Sequence, residues 1–392
     1  MSQQVDAIVV GAGMVGASTA LMLGRQGYSV AVVEQQSLST STFELSEAVD
    51  LRVSAISPAS QKLLVDLGVW QDIRHKRSCE YHRMQVWHEH GSASVEFSAE
   101  QMGAVSLGAI VENRIIQQAI LLRLVSMDQV TILDGQSVER ICQDDGSVAV
   151  TTSAQQVIEA KLLLAADGRD SSVREILHLP AVGGSYRQKA IVANVETERL
   201  HQHTARQRFL KTGPLAFLPL STGQSSIVWS LDSEVADDVL QLADGEFLQV
   251  LSEALEFRLG RVVATTPRAA FPLSWHNAQR WLDGRVLLIG DAAHGVHPLA
   301  GQGVNLGFGD VALLQHYIRE RETLDDHVRL RRFERRRKAE TATATHLFSV
   351  FKLLYGSENP FLCRMRDIGM SAVEHNPLIK RNIISSAMEN MA

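Results

Sequence analysis

The apolar positions of this chain fall into two kinds of run. Residues 7–10 (Ala-Ile-Val-Val) have no polar interruption, as a strand buried on both faces requires. Gly11, Gly13 and Gly16 follow, and residues 14–26 carry a helical pattern that Gly27 is placed to end. A second apolar run, 29–33, closes on Glu34. The same grammar of strand, Gly/Asp turn and helix start recurs twice. Residues 162–166 lead into Asp167-Gly168, and residues 285–289 lead into Gly290-Asp291. Between these segments the pattern changes. Residues 190–196, 215–220 and 226–230 read as strands without any nucleotide-binding turn, and residues 84–88 and 94–97 read as short strands of the same sheet. After Gly309 the chain reads as helical to its end, starting with a helix over about residues 306–320.

The first turn is a GxGxxG motif in its required context, after a strand and before a helix. Gly11 permits the tight turn, Gly13 admits a pyrophosphate without a Cβ in the way, and Gly16 lets the helix pack on the strand. The helix N-terminus directs N–H groups and a positive dipole end at phosphate. Glu34 can accept hydrogen bonds from both ribose hydroxyls, and its charge disfavours a 2′-phosphate, so the ligand is FAD or NAD. The other two turns favour FAD, because a simple NAD dehydrogenase needs neither. Asp291 is placed to accept from a ribityl hydroxyl. The loop Pro298-Leu-Ala-Gly301-Gln302-Gly303-Val-Asn305, at a helix start, is a nest for the negative charge of a reduced flavin.

In Gly11/Gly13/Gly16, Asp167-Gly168 and Gly290-Asp291 the chain resembles the flavoprotein aromatic hydroxylases of the para-hydroxybenzoate hydroxylase type. It is most similar to the ubiquinone-biosynthesis hydroxylases of that class. That likeness is carried by Leu51-Arg52-Val-Ser-Ala-Ile-Ser57, Leu67-Gly68-Val69-Trp70, Val111-Glu112-Asn113, the run from Gly290 to His294, His297 to Asn305, and Arg332-Phe-Glu-Arg335. It spans about residues 5–375. Gly295 stands where these relatives lead one to expect Thr, and Ala12 replaces a frequent third glycine; neither change removes a group the chemistry needs.

The resemblance implies an α/β fold: a discontinuous Rossmann-like FAD domain (1–75, 104–182 and 276–345), a substrate-binding β-sheet domain (76–103 and 183–275) and C-terminal helices (346–392). It implies hydroxylation of a polyprenylated phenol or benzoquinol of ubiquinone biosynthesis through a C4a-hydroperoxyflavin, with O2 and NADH or NADPH as transient reductant. No second GxGxxG unit follows a strand, so the nicotinamide is expected on the flavin domain. Arg52 is the expected cation beside the cofactor, able to pair with pyrophosphate or orient nicotinamide. Pro298 is expected against the flavin ring, its carbonyl positioning substrate. The residues leave open a related hydroxylase of a small soluble phenol, a flavin-binding scaffold subunit of a biosynthetic complex, and a flavin reductase without oxygen transfer.

Composition narrows the classes. The 392 residues suit two domains, and a net charge of −6 argues against nucleic acid as partner. Cys79, Cys142 and Cys363 have no metal or disulfide spacing, which points to a reducing compartment. No uncharged apolar run reaches the ~18–20 residues of a membrane span. A cytoplasmic location, with peripheral contact to the inner membrane as an extension, is the expectation. The basic run 330–338 reads as a solvated helix face pairing with Glu334 and Glu340, or as a contact with anionic headgroups. The apolar run 347–355 reads as core or as a membrane edge. His294 and His297 lack a third ligand for a metal, so no metal site is expected; both fall in the Gly290–Asn305 turn and read as structural histidines of a flavin loop, with an acid or base role on a phenol left open.

Overall fold

A computed structural model of the chain describes residues 3–38, 47–89, 93–295, 303–318, 324–356, 360–376 and 379–383, with side chains described except at 344–366. Four sheets organise it. The first has six strands in the order Leu282–Asp283, Val286–Leu288, Leu162–Ala165, Ala7–Val10, Val30–Glu34 and Val130–Asp134. Every neighbouring pair is parallel except the short Leu282–Asp283 hairpin arm. These strands have few polar residues because helices cover both faces of a parallel sheet. Ala7, Ile8 and Val9 are wholly buried, as are Leu162 to Ala165 and Val286 to Leu288.

Strand order brings the three glycine turns together. Val10 pairs with Ala165, and Ala165 pairs with Leu288. Parallel neighbours end on the same side, so the chain leaves all three strands at one edge of the sheet, where ligands bind in open α/β sheets. Helix Met14–Arg25 starts at that edge, with Gly13 as N-cap, and Gly27 follows it with φ +85°.

The largest sheet has nine strands. Its main order is His294–Gly295, Ala269–Ala278, Ala181–Thr197, Ser225–Asp232, Gly213–Pro219, Thr204–Leu210, Arg83–His88 and Ser94–Ser98. Val262–Thr265 also pairs with Ala181–Thr197. Only the Thr204–Leu210 and Arg83–His88 pair is parallel. Side chains alternate between faces. Ile191, Ala193, Val195, Leu215, Phe217, Ile227 and Trp229 form one core with Phe247 and Leu251 of helix Asp244–Ala254. Ala205, Ala216 and Leu218 point the other way and share a second core with Val53 and Ala55.

Those two residues belong to a three-stranded antiparallel sheet: Val53–Ile56, Gly108–Glu112 and Ser78–Tyr81. This small sheet therefore lies against the inner face of the nine-stranded one. Residues 78–81 pair here rather than in the large sheet, which residues 83–88 and 94–98 join. A fourth sheet, Gln3–Gln4, Val157–Ala160, Val148–Thr152 and Val138–Gln143, flanks the parallel one. Helices Gly303–Tyr317, His327–Gly356 and Pro360–His375 complete the chain. Among the described residues, no helix is long and apolar enough to cross a membrane.

Candidate active site

The three glycines of the first turn do different work. Gly11 has φ +96°, and a Cβ there would lie 2.5 Å from the carbonyl oxygen of Ala166. It allows the first turn to touch the second. A Cβ on Gly16 would lie 2.0 Å from the Gly11 oxygen, so Gly16 lets the helix sit on the turn. Gly13 differs: nothing lies within 4 Å of a Cβ built there. Its lack of a side chain serves no packing contact within the chain. Helix Met14–Arg25 has no side-chain cap and no acid in its first turn, so its leading N–H groups are unclaimed by side chains.

Glu34 ends the neighbouring strand. Its Oε2 accepts from Ala12 N at 2.5 Å and its Oε1 from Gln36 N at 2.8 Å. A carboxylate has about four acceptor positions, so capacity for ribose hydroxyls remains. Gln117, on helix Asn113–Leu124, donates to Ala12 O at 3.0 Å and steadies the turn from the other side.

In the second turn, Asp167 Oδ2 accepts from Ser172 Oγ and Val173 N, both at 3.1 Å. Its Oδ1 is buried with no partner, and a buried unsatisfied carboxylate oxygen is costly. Gly168, at φ +86°, has nothing within 4 Å of a built Cβ. Open positions at Gly13 and Gly168, an uncapped helix start and an orphaned Asp167 oxygen fit a bound dinucleotide with hydroxyl and phosphate groups.

The third turn is held from beneath. Gly290 has φ +56°, and its N–H donates to Asp310 Oδ2 at 2.7 Å. Asp310 is wholly buried. Its Oδ2 also meets His294 Nε2 at 2.7 Å, and its Oδ1 meets Arg337 Nε at 2.7 Å. Burial pushes the Asp310 carboxyl up, but His294, Arg337 and the Gly290 N–H outweigh it and hold the group at about 2. Asp291 is exposed, while its backbone oxygen accepts from His276 Nε2 at 2.7 Å. Arg174 ties the second turn to the third, donating to Ala292 O at 2.8 Å and Arg169 O at 2.6 Å.

Arg52 is exposed just before the strand Val53–Ile56, with its guanidinium 4.8 Å from the ring centre of Phe271 in the nine-stranded sheet. It thus stands at the junction of two sheets. Its backbone is fixed by Asn113 N, which donates to Arg52 O at 2.9 Å, and by Asp50 Oδ1, which accepts from Arg52 N at 2.9 Å. Glu112 accepts from Asp50 N at 2.8 Å and pairs with Arg77 at 2.9 Å. Burial raises the Glu112 carboxyl, against the lowering effect of Asp50 N–H and Arg77. The amide of Asn305, expected among the cofactor groups, clasps this strand and the residue that follows it. Its Nδ2 donates to Ala55 O at 2.8 Å, and its Oδ1 accepts from Ser57 N at 3.1 Å. Gly303 begins helix Gly303–Tyr317. Pro298, Gly301, Gln302 and His297 lie outside the described residues.

Sequence reasoning missed Asp310, Arg337, Arg174 and Gln117. Asp310 left a trace, a lone acid in an apolar helix (Leu-Gly-Phe-Gly-Asp310-Val-Ala-Leu-Leu). Arg337 left none. The run 330–338 was expected to be a solvated face, and Arg336–Glu340 (2.9 Å) and Lys338–Glu334 (2.7 Å) do pair as expected. Arg337 is wholly buried between them.

The sequence profile of the FAD binding domain family matches residues 4–346. The chain is 34% identical to 3-demethoxyubiquinol 3-hydroxylase of Escherichia coli, over 99% of each chain. It is also 34% identical to a ubiquinone hydroxylase of Rhodospirillum rubrum, over 98% of this chain and 89% of that one. In fold it is similar to p-nitrophenol 4-monooxygenase from Pseudomonas putida, with a TM-score of 0.77, 21% identity and coverage of 99% and 98%. The chain is an FAD-dependent enzyme that belongs to the FAD binding domain family and, within it, to the ubiquinone-biosynthesis hydroxylases.

Proposed function

We propose that this enzyme hydroxylates the ring of a polyprenylated phenol or benzoquinol intermediate of ubiquinone biosynthesis, using O2 and NADH or NADPH. The observation that carries the reading is the convergence of three Gly/Asp turns at one sheet edge, next to an apolar sheet face. Full-length likeness to two ubiquinone hydroxylases supports the substrate class.

FAD, when bound, supplies the redox and oxygen-transfer chemistry. The chain supplies the rest. Gly11, Gly13 and Gly16 and the start of helix Met14–Arg25 would receive the pyrophosphate, and Glu34 the adenosine ribose. Asp167 Oδ1, Gly168, Gly290 and the exposed Asp291 carboxylate would line the rest of the dinucleotide. Gly303 and the backbone near Asn305, with Pro298, Gly301 and Gln302, would face the isoalloxazine. Arg52, which has no ion pair among the described residues, would offer a cation at the sheet junction for pyrophosphate or nicotinamide. Met84, Phe97 and Val228, partly buried at the margin of the core that Ala205, Ala216 and Leu218 share with Val53 and Ala55, would offer apolar surface that suits a greasy ring and keeps water out. The division proposed is a flavin unit of 1–75, 104–182 and 276–345, a substrate unit of 76–103 and 183–275, and C-terminal helices over 346–392. Peripheral membrane contact and membership of a biosynthetic complex are extensions of the same reading, motivated by a polyprenyl substrate.

The test is deletion of the gene in its host, followed by mass spectrometry of quinones and their precursors. Accumulation of one precursor lacking one hydroxyl is expected, and its pattern names the ring carbon. Normal quinone with no such precursor, in a host without a second hydroxylase, would move the assignment to a soluble phenol.

A further inference from the structure

The flavin-side turn at Gly290 is contacted from beneath by Asp310, which is itself bound by His294 and Arg337. Asp310 sits mid-helix in Gly303–Tyr317 with no exposed surface. A lone buried carboxylate would be costly, and this one persists because Gly290 N, His294 Nε2 and Arg337 Nε all reach it at 2.7 Å. Arg337 is itself fixed. Its Nη2 donates to Leu306 O at 2.8 Å, and its Nη1 pairs with Glu340. His294 is clamped by stacking on Trp281, with ring centres 4.8 Å apart, and Trp281 N donates to Glu334 Oε1 at 2.8 Å. Glu334, Arg337 and Glu340 all belong to helix His327–Gly356. That helix also packs on strands Thr204–Leu210 and Gly213–Pro219 of the nine-stranded sheet.

We propose that Arg337, Asp310 and His294 form a positioning triad for the cofactor turn, in which a C-terminal helix sets the Gly290 N–H and hence the aim of the Asp291 carboxylate. A carboxylate held on both oxygens cannot rotate without breaking a buried bond, so its position is sharply defined. The position needs glycine, because a Cβ there would meet Val15 at 3.1 Å and its φ is +56°. Helix His327–Gly356 therefore links the substrate-side sheet to the turn through one guanidinium. The triad rests on the reading that Gly290-Asp291 contacts FAD.

The experiment compares two buried arginines. Arg208 lies on the far face of the nine-stranded sheet, donating to Ala254 O at 2.7 Å and pairing with Glu256 at 2.8 Å. FAD affinity of the apoprotein is read from flavin fluorescence, alongside apoprotein Tm and the visible absorption of bound flavin. Arg337→Gln is expected to weaken FAD binding at least about tenfold and shift the flavin bands, with Arg337→Lys in between. Arg208→Gln is expected to lower Tm but change FAD affinity less than about twofold. Unchanged FAD affinity in Arg337→Gln, or losses in both variants that track Tm alone, overturns the triad. If Arg337→Gln yields no soluble protein, His294→Asn serves in its place: it removes one donor to Asp310 and keeps the arginine pair. Asp291→Ala separates the two readings. Full FAD affinity there removes the turn from the cofactor site, whereas weakened affinity there with a silent Arg337→Gln removes only the triad.

Discussion

The parallel sheet and the nine-stranded sheet hold their functional groups in opposite ways. In the parallel sheet, backbone does the holding. Glycine turns, a helix start and main-chain N–H groups define the edge, and a single Cβ in the wrong place would collide with a carbonyl. In the nine-stranded sheet, side-chain alternation does the holding. One face builds a core with helices Ser233–Gln241 and Asp244–Ala254, and the other is a wall of small and apolar residues packed in part on strand Val53–Ile56. Backbone-held sites tolerate almost no substitution and carry strong motifs. A wall tolerates many apolar swaps and carries none. Residues that choose the ring carbon would lie in the second kind of region, which is why no motif announces them.

The sharpest way to break this contrast is within the first turn. Gly16→Ala places a Cβ 2.0 Å from the Gly11 oxygen. It should cost at least about 3 kcal/mol of apoprotein stability, measurable by denaturant unfolding, with little soluble protein recovered. Gly13→Glu should do the reverse. No atom lies within 4 Å of its Cβ, so apoprotein stability should change by under about 0.5 kcal/mol while FAD binding is abolished. A yellow, flavin-loaded Gly13→Glu protein would falsify the pyrophosphate assignment. Loss of folding in that variant would erase the distinction between fold glycines and ligand glycines.

A smaller effect is expected where the three-stranded sheet meets the nine-stranded one. Arg52 is exposed, and its guanidinium lies over the Phe271 ring. Arg52→Ala should keep its Tm and bind FAD. Product formed per NAD(P)H oxidised, or the rate of flavin reduction, should fall roughly tenfold, about 1.4 kcal/mol. Stopped-flow reduction and product yield check this, and wild-type values for both would remove Arg52 from the site.

The smallest effect concerns pH where the nine-stranded sheet meets the Gly290-Asp291 turn. His276 donates from Nε2 to Asp291 O, while its Nδ1 is buried without a partner, so burial lowers its pKa below 6.5. A depressed pKa means the stabilisation is complete above pH 6.5 and is lost as pH falls from there towards the folded value. Unfolding free energy should decline on acidification below that point. His276→Asn should flatten the decline, and an identical slope in the variant would show that His276 does not couple the large sheet to the cofactor turn.

Legibility from sequence follows the same divide. The strand-turn-helix grammar was readable at all three turns because φ and Cβ constraints act over a few residues. Val111-Glu112-Asn113 stood out only by likeness, and the fold supplies its physics. Glu112 clamps Asp50 and Arg77, and Asn113 Oδ1 accepts from Ser54 Oγ at 2.6 Å beside Arg52. Asn305 lies in a loop that reads as cofactor-binding, yet its amide bonds to residues about 250 positions away, a partner that no local pattern encodes. Arg336, Arg337 and Lys338 are chemically alike in sequence. Helical phase and the arrival of Asp310 from another helix bury the middle one, leaving Arg336 exposed and Lys338 half-buried.

Local stereochemistry was thus enough to establish a dinucleotide fold, its glycine turns and the acid that ends the second strand. Those features depend on neighbours within a turn or a strand. The buried Asp310–Arg337–His294 network, the use of Asn305 as a strand clasp and the placing of Arg52 over Phe271 depend on which distant elements meet. Low-dielectric burial then turns ordinary charged residues into fixed, paired groups, and that environment exists only after the chain has folded.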